Sequence, residues 1–173
     1  MREMLLCLSL MFLCGCGSLG YPSTVTPVQG FELERYLGTW YEIARLDHPF
    51  ERGMERVTAE YSMREGGGVL VKNRGYLTRE NEWKEAVGKA FFIRGPDEGY
   101  LKVSFFWPFY GSYVVFELDR EGYQYAFVSG PNESYLWLLS RTPTVSNDLL
   151  SRFKDQAQSC GFKTDDLIYV NHR

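Results

Sequence analysis

Residues 35–53 read "RYLGTWYEIARLDHPFERG", and the fold turns on why Gly38 and Trp40 stand together at the head of its strand-like run. A glycine weakens a strand by its backbone entropy, and a tryptophan needs a large space and an acceptor for its N–H. Their pairing therefore calls for a tertiary feature, a sharp change of backbone direction over a buried ring. After the run, Asp47 to Glu55 is too long for a tight hairpin and carries its own apolar residues, so it is expected to form a lid-like loop.

Outward from this stretch, alternation with period two recurs over Trp40–Leu46, Val57–Arg64, Gly68–Tyr76, Trp83–Ile93, Tyr100–Phe106, Ser112–Leu118, Tyr123–Ser129 and Ser134–Arg141. Turn signals separate the runs: "REGGG" at 64–68, "TRENE" at 78–82, "GPDEG" at 95–99, "DREG" at 119–122 and "GPNE" at 130–133. Short connections make neighbours pair antiparallel, and an eight-stranded meander that closes on itself leaves no exposed edge. The expected fold is all-β, an eight-stranded antiparallel up-and-down barrel with an interior wide enough for one small ligand. After Pro143, Ser146 is placed to cap a helix whose face carries Leu149, Leu150, Phe153, Ala157 and Cys160 and which stops at Gly161. One C-terminal helix is thus expected to pack outside the barrel, and Leu167 to Val170 to lie beside the first strand.

The first residues, "MREMLLCLSLMFLCGCGSLG", place Arg2 before an apolar run from Met4 to Leu13 and then small residues. That is the layout of an export leader, and the run is too short for a permanent membrane helix of roughly 20 residues. Leu13-Cys14-Gly15-Cys16 resembles a bacterial lipobox, which implies removal of residues 1–15 and acylation of Cys16; Gly17 in place of Asp resembles lipoproteins sorted to the outer membrane. Residues 16–30, with Pro22 and Pro27, are expected to form the acylated Cys and a flexible tether, and 31–173 the folded domain. Cys160 then remains as a lone thiol, expected to be a small buried apolar residue. About 155 residues remain, enough for a core without staples, and the net charge of −3 gives no reason to expect nucleic acid.

Gly38-Thr39-Trp40 opening strand one, eight meander strands, Arg141 closing the last and a helix after it resemble the lipocalin family. "KVSFFWPFYG" and "YLWLLSRTP" are similar to its bacterial, membrane-anchored, apolipoprotein D-like members, over nearly all of residues 30–173. The resemblance implies that Trp40 plugs the closed end with Arg141 across its indole, and that Gly38 is the hinge into the barrel. The family's second motif is present only as Asp119 within Leu118-Asp119-Arg120.

In a closed barrel every second residue points inward. With Trp40 inward, Glu42 and Ala44 follow. Elsewhere the phase is chosen by chemistry: Ala59, Tyr61, Val71, Asn73, Gly88, Ala90, Phe92, Val103, Phe105, Tyr113 and Val115 inward, Lys72, Arg74, Lys89 and Lys102 outward. Ala44, Gly88 and Ala90 are expected to leave volume unfilled, giving an apolar wall with a few polar groups that suits an acyl chain.

Only two histidines are present; His48 is expected to be solvated in its loop and His172 frayed. No nucleophile elbow, zinc motif or phosphate loop occurs. No catalysis, cofactor or metal is expected. The run Ser104 to Tyr113 holds more aromatics than alternation can bury, leaving a homodimer contact, a membrane-touching loop or a partner site open. The function expected is lipid binding, of fatty acids or lysophospholipids, for storage or transport in the envelope, with the barrel held by Cys16 on the periplasmic face of the outer membrane. A filled barrel serving as an envelope scaffold is the alternative, and a lipid-modifying enzyme a remoter one.

Overall fold

The computed structural model describes residues 19–173; the leader and Cys16 lie outside them. A short helix α1 (Leu33–Tyr36) precedes eight strands: β1 (Gly38–Arg45), β2 (Met54–Met63), β3 (Val69–Leu77), β4 (Glu82–Phe92), β5 (Tyr100–Phe106), β6 (Phe109–Leu118), β7 (Tyr125–Ser129) and β8 (Leu136–Ser140). Each pairs antiparallel with the next, and β1 pairs with both β8 and β2, which closes the barrel. Helix α2 (Asn147–Ser159) follows, and a two-residue strand β9 (Ile168–Tyr169) pairs with Ala44 and Arg45. Ser146 Oγ accepts from the Leu149 N–H at 3.2 Å, fixing the start of α2.

Two apolar layers result. The inner one fills the lower barrel with Tyr36, Trp40, Tyr61, Val69, Val71, Leu101, Val115, Val128 and Leu139. The outer one joins Ile43, Leu136, Leu138 and Phe127 to Phe153 and Ala157 of α2. Ala44 belongs to the outer layer and so corrects its expected inward placement. A β-bulge between Glu42 and Ala44 is the cause: Glu42 stands opposite inner Leu139, Ala44 opposite outer Leu138, and Arg45 opposite inner Trp137. One extra residue moves every later side chain to the other face.

The closed end is built on Trp40, which is fully buried. Its Nε1 donates to the Tyr36 carbonyl at 2.8 Å, and the Arg141 guanidinium lies 3.9 Å from its ring centre. Arg141 also donates to the carbonyls of Arg35 (2.7 Å) and Thr39 (3.0 Å), tying α1 and β1 to the end of β8. Gly38 has φ +94°, a turn that favours glycine, while a Cβ there would only touch Arg141 Nη1 at 3.4 Å.

The described part of the stretch expected to be a flexible tether, residues 19–30, packs on the barrel instead. Val25 and Val28 are buried, Val28 N–H donates to the Val115 carbonyl at 2.9 Å, and Ser112 Oγ donates to the Gly20 carbonyl at 2.6 Å. Cys160 is half-buried, its Sγ 3.5 Å from the Thr24 carbonyl of this segment.

Candidate ligand-binding lumen

Strand alternation carries Ala59, Tyr61, Val71, Ala90, Phe92, Val103, Phe105, Tyr113 and Val115 into or against the inner layer. Asn73 shares their face, opposite Ala59, and Gly88 does too, opposite Val71. Gly88 does not leave space: a Cβ there would meet the Ser104 carbonyl at 2.7 Å and the Phe105 ring at 2.8 Å. The glycine admits that ring rather than a ligand. Ala90 is buried between Val69 and Val103 on the neighbouring strands, deep in the packed lower half.

The lower lumen is floored by three tyrosines. Tyr113 Oη lies 2.7 Å from Tyr36 Oη and 2.8 Å from Tyr61 Oη. Burial pushes all three well above the usual tyrosine range, so they are neutral hydrogen-bonding groups. Tyr36 was not among the expected wall residues because it precedes the first strand, in α1, where strand periodicity says nothing.

The upper lumen differs along β4. Ala86 has the inward parity of Gly88 and Ala90 and stands opposite Asn73, yet it is exposed. Strand β5 pairs with β4 only from Lys89 to Phe92, so Glu82–Gly88 has no ladder partner on that side. The wall is notched there, between β4 and the β5–β6 hairpin. Asn73 Oδ1 is buried beside this region with no hydrogen-bond partner.

At the open end the bulge aims Arg45 inward, where it is almost fully buried. Its Nη1 donates to Glu42 Oε1 at 2.8 Å and its Nη2 to the Glu51 carbonyl at 2.8 Å, while Trp137 Nε1 donates to Glu51 Oε2 at 3.2 Å. The loop 46–53 is therefore latched onto the barrel by one guanidinium. Burial raises both carboxyls above the usual carboxylate range, Glu51 adds to the upward push on Glu42, and Arg45 opposes it on both. His48, expected to be solvated, is 3% exposed and stacked between Phe50 and Tyr135, with centroid distances of 4.2 and 5.6 Å. Burial first, then Arg45, lowers its imidazole to about 4. His172 is not frayed: its Nε2 lies 2.8 Å from the Glu42 carbonyl. Glu42 had been read as inward, but Arg45, His48 and Glu51 as a site depend on the bulge and the loop fold, neither of which periodicity reveals.

The lumen is thus amphipathic along its axis, apolar and phenolic below, charged at the mouth. Among the described residues no group of three or more His, Cys, Asp or Glu could hold a metal ion. Residues 31–172 match the lipocalin-like domain family. The chain is a lipocalin. It is 61% identical over its full length and that of its relative to the outer membrane lipoprotein Blc of Vibrio cholerae. It is 51% identical to the protein of that name from Escherichia coli K12, covering 90% of this chain and 87% of the relative, and 30% identical to bovine apolipoprotein D, covering 84% and 79%. Among solved lipocalin-like structures, insecticyanin from Manduca sexta superposes with a TM-score of 0.66 over 88% of this chain and 86% of that one, at 18% identity. The lipocalin barrel, closed by the β1–β8 pairing, and its outside helix are those expected from the alternation and the capped amphipathic segment.

Proposed function

We propose that this lipocalin is a lipid-anchored carrier of single-chain lipids, fatty acids or lysophospholipids, for storage or transport in the cell envelope. The leader 1–15 is removed, Cys16 is acylated, and residues 31–173 form the carrier domain on the periplasmic face of the outer membrane. The names of the Vibrio cholerae and Escherichia coli relatives support that location. The observation that carries the ligand reading is the exposed inner-face Ala86 beside the unpaired edge of β4. Its exposure, on a face buried further along the strand, supports space between the packed apolar layer and the Glu42–Arg45–Glu51 cluster. An acyl chain fits the first and a polar head the second.

The test uses two neighbouring substitutions. Ala86→Trp places an indole in the open upper lumen and is expected to weaken a fluorescent fatty acid at least tenfold, about 1.4 kcal/mol. Glu85→Trp points outward on the same strand and is expected to leave affinity unchanged. Position 86 serves better than buried Ala90, where a Trp would overpack the core. Blocking by the Glu85 variant alone would reverse the inward face of β4, and blocking by neither would place the ligand outside the barrel. Mass spectrometry of lipid co-purified with the protein then identifies the head group.

A further inference from the structure

The β5–β6 hairpin is apolar at its tip and stands clear of its neighbours. Phe106, Trp107 and Phe109 are 80%, 75% and 76% exposed. The last β4–β5 pair is Lys89 with Ser104, and the first β6–β7 pair is Val114 with Ser129, so the hairpin from Phe105 to Tyr113 lacks a flanking strand on either side. Three neighbouring aromatics this exposed cost solubility, and among the described residues little of the chain covers them.

Two observations say what covers them. The first is where the described chain begins. Ser112 Oγ holds the Gly20 carbonyl, Tyr100 Oη holds the Leu19 carbonyl, and Tyr21 packs edge-on against Tyr100 at 4.9 Å. The start of the chain is thereby fastened to the outer face of this same hairpin, three residues along β6 from Phe109, about 10 Å. Cys16 is three residues before Leu19, and three extended residues span at most about 11 Å. An acyl group on Cys16 is therefore attached within about 11 Å of Leu19, on the side of the barrel that carries this hairpin. The second observation is charge. Between Gly99 and Phe116 the only charged residue is Lys102, whose Nζ lies 5.1 Å from the Tyr110 ring, and Lys89 stands across the ladder from Ser104. Apolar aromatics backed by lysines suit the interface of a bilayer with anionic lipid.

We propose that the Phe106–Phe109 finger docks into the surface of a phospholipid bilayer. Insertion there turns the notch between β4 and the finger toward the membrane, so that an acyl chain passes sideways between bilayer and lumen. The proposal rests on acylation of Cys16 as read above, since that anchor brings the finger to the lipid.

The test uses the mature protein reconstituted in vesicles of phosphatidylethanolamine and phosphatidylglycerol containing a lipid with a nitroxide near its head group. The Trp107 signal is the difference in emission between wild type and Trp107→Phe, a change at an exposed side chain. It is expected to be quenched by roughly half or more, as for a ring buried about 5–10 Å into the interface. A Met63→Trp reporter in the Trp107→Phe background, at the exposed closed end, is expected to stay unquenched. An unquenched Trp107 overturns the proposal, whether its emission stays that of a solvated ring or shifts to the blue as protein density rises, the sign of a second copy covering the finger. Equal quenching at positions 63 and 107 overturns it too. The mass of the N-terminal peptide from the same sample separates the two readings: an acylated protein with unquenched Trp107 removes the finger alone, and an unacylated one removes the anchor and the docking geometry with it.

Discussion

At the scale of single residues, the mouth of the barrel stores a pH dependence with two opposing parts. His48 has both ring nitrogens buried without a hydrogen-bond partner, and its imidazole is held down to about 4 against about 6.5 in an unfolded chain. The folded state then binds fewer protons between those values, so this contribution is present above pH 6.5 and is lost as the pH falls toward 4. Glu42 and Glu51 act oppositely, because their raised values make the folded state bind more protons; their contribution is present in acid and is lost as pH rises through the folded values. His48→Gln removes the first part, together with the 3.4 Å approach of its Nδ1 to Glu51 Oε2. Between about pH 7.5 and about pH 5, its unfolding free energy is expected to fall by about 1–2 kcal/mol less than that of wild type, read from urea transitions. Parallel pH profiles would show that His48 titrates freely. At the opposite end, Arg141→Ala uncovers Trp40 and leaves the carbonyls of Arg35 and Thr39 without their donor. A loss of about 1–3 kcal/mol is expected, and a melting curve equal to that of wild type would contradict it.

At the scale of elements, β1 shows what periodicity can and cannot carry. Alternation located all eight barrel strands to within a few residues, since apolar period two and turn chemistry are written locally. The bulge after Glu42 is not written there, because it arises from the offset between β1 and β8, strands that meet only when the barrel closes. The inner face was thus legible along β2 to β6 and misread at Ala44, and the arginine that organises the mouth was hidden behind the same slip. Ala44 is fully buried in the outer apolar layer, between Leu138 of β8 and Tyr169 of β9. Ala44→Leu is expected to overpack this seam and destabilise the fold by about 1–3 kcal/mol, while leaving fatty-acid affinity unchanged. A variant that binds less tightly at full stability would return Ala44 to the lumen. The helix itself was readable because its cap, Ser146, and its apolar face, with Phe153 and Ala157, both lie within one stretch of chain.

At the scale of the whole molecule, the N-terminal segment links the barrel to the anchor proposed at Cys16, and composition misjudged it. Pro, Ser and Thr read as a flexible tether, but Val25 and Val28 each find a separate site on the barrel and the backbone between Gly20 and Val28 is hydrogen-bonded to it. Isolated burials of this kind have no period and leave no trace in a sequence pattern. With Cys16 acylated as proposed, the anchor would be separable from the barrel in stability. Cys16→Ala tests the separation. The apolar run Met4–Leu13 falls short of the roughly 20 residues that cross a bilayer, and the aromatic finger alone is a reversible contact, whereas two or more acyl chains hold a protein stably. The variant is expected to leave washed membranes for the soluble fraction, with circular dichroism and melting temperature unchanged because no described contact involves residue 16. Membrane retention equal to that of wild type after an alkaline wash would mean that something other than acylation of Cys16 holds the protein there.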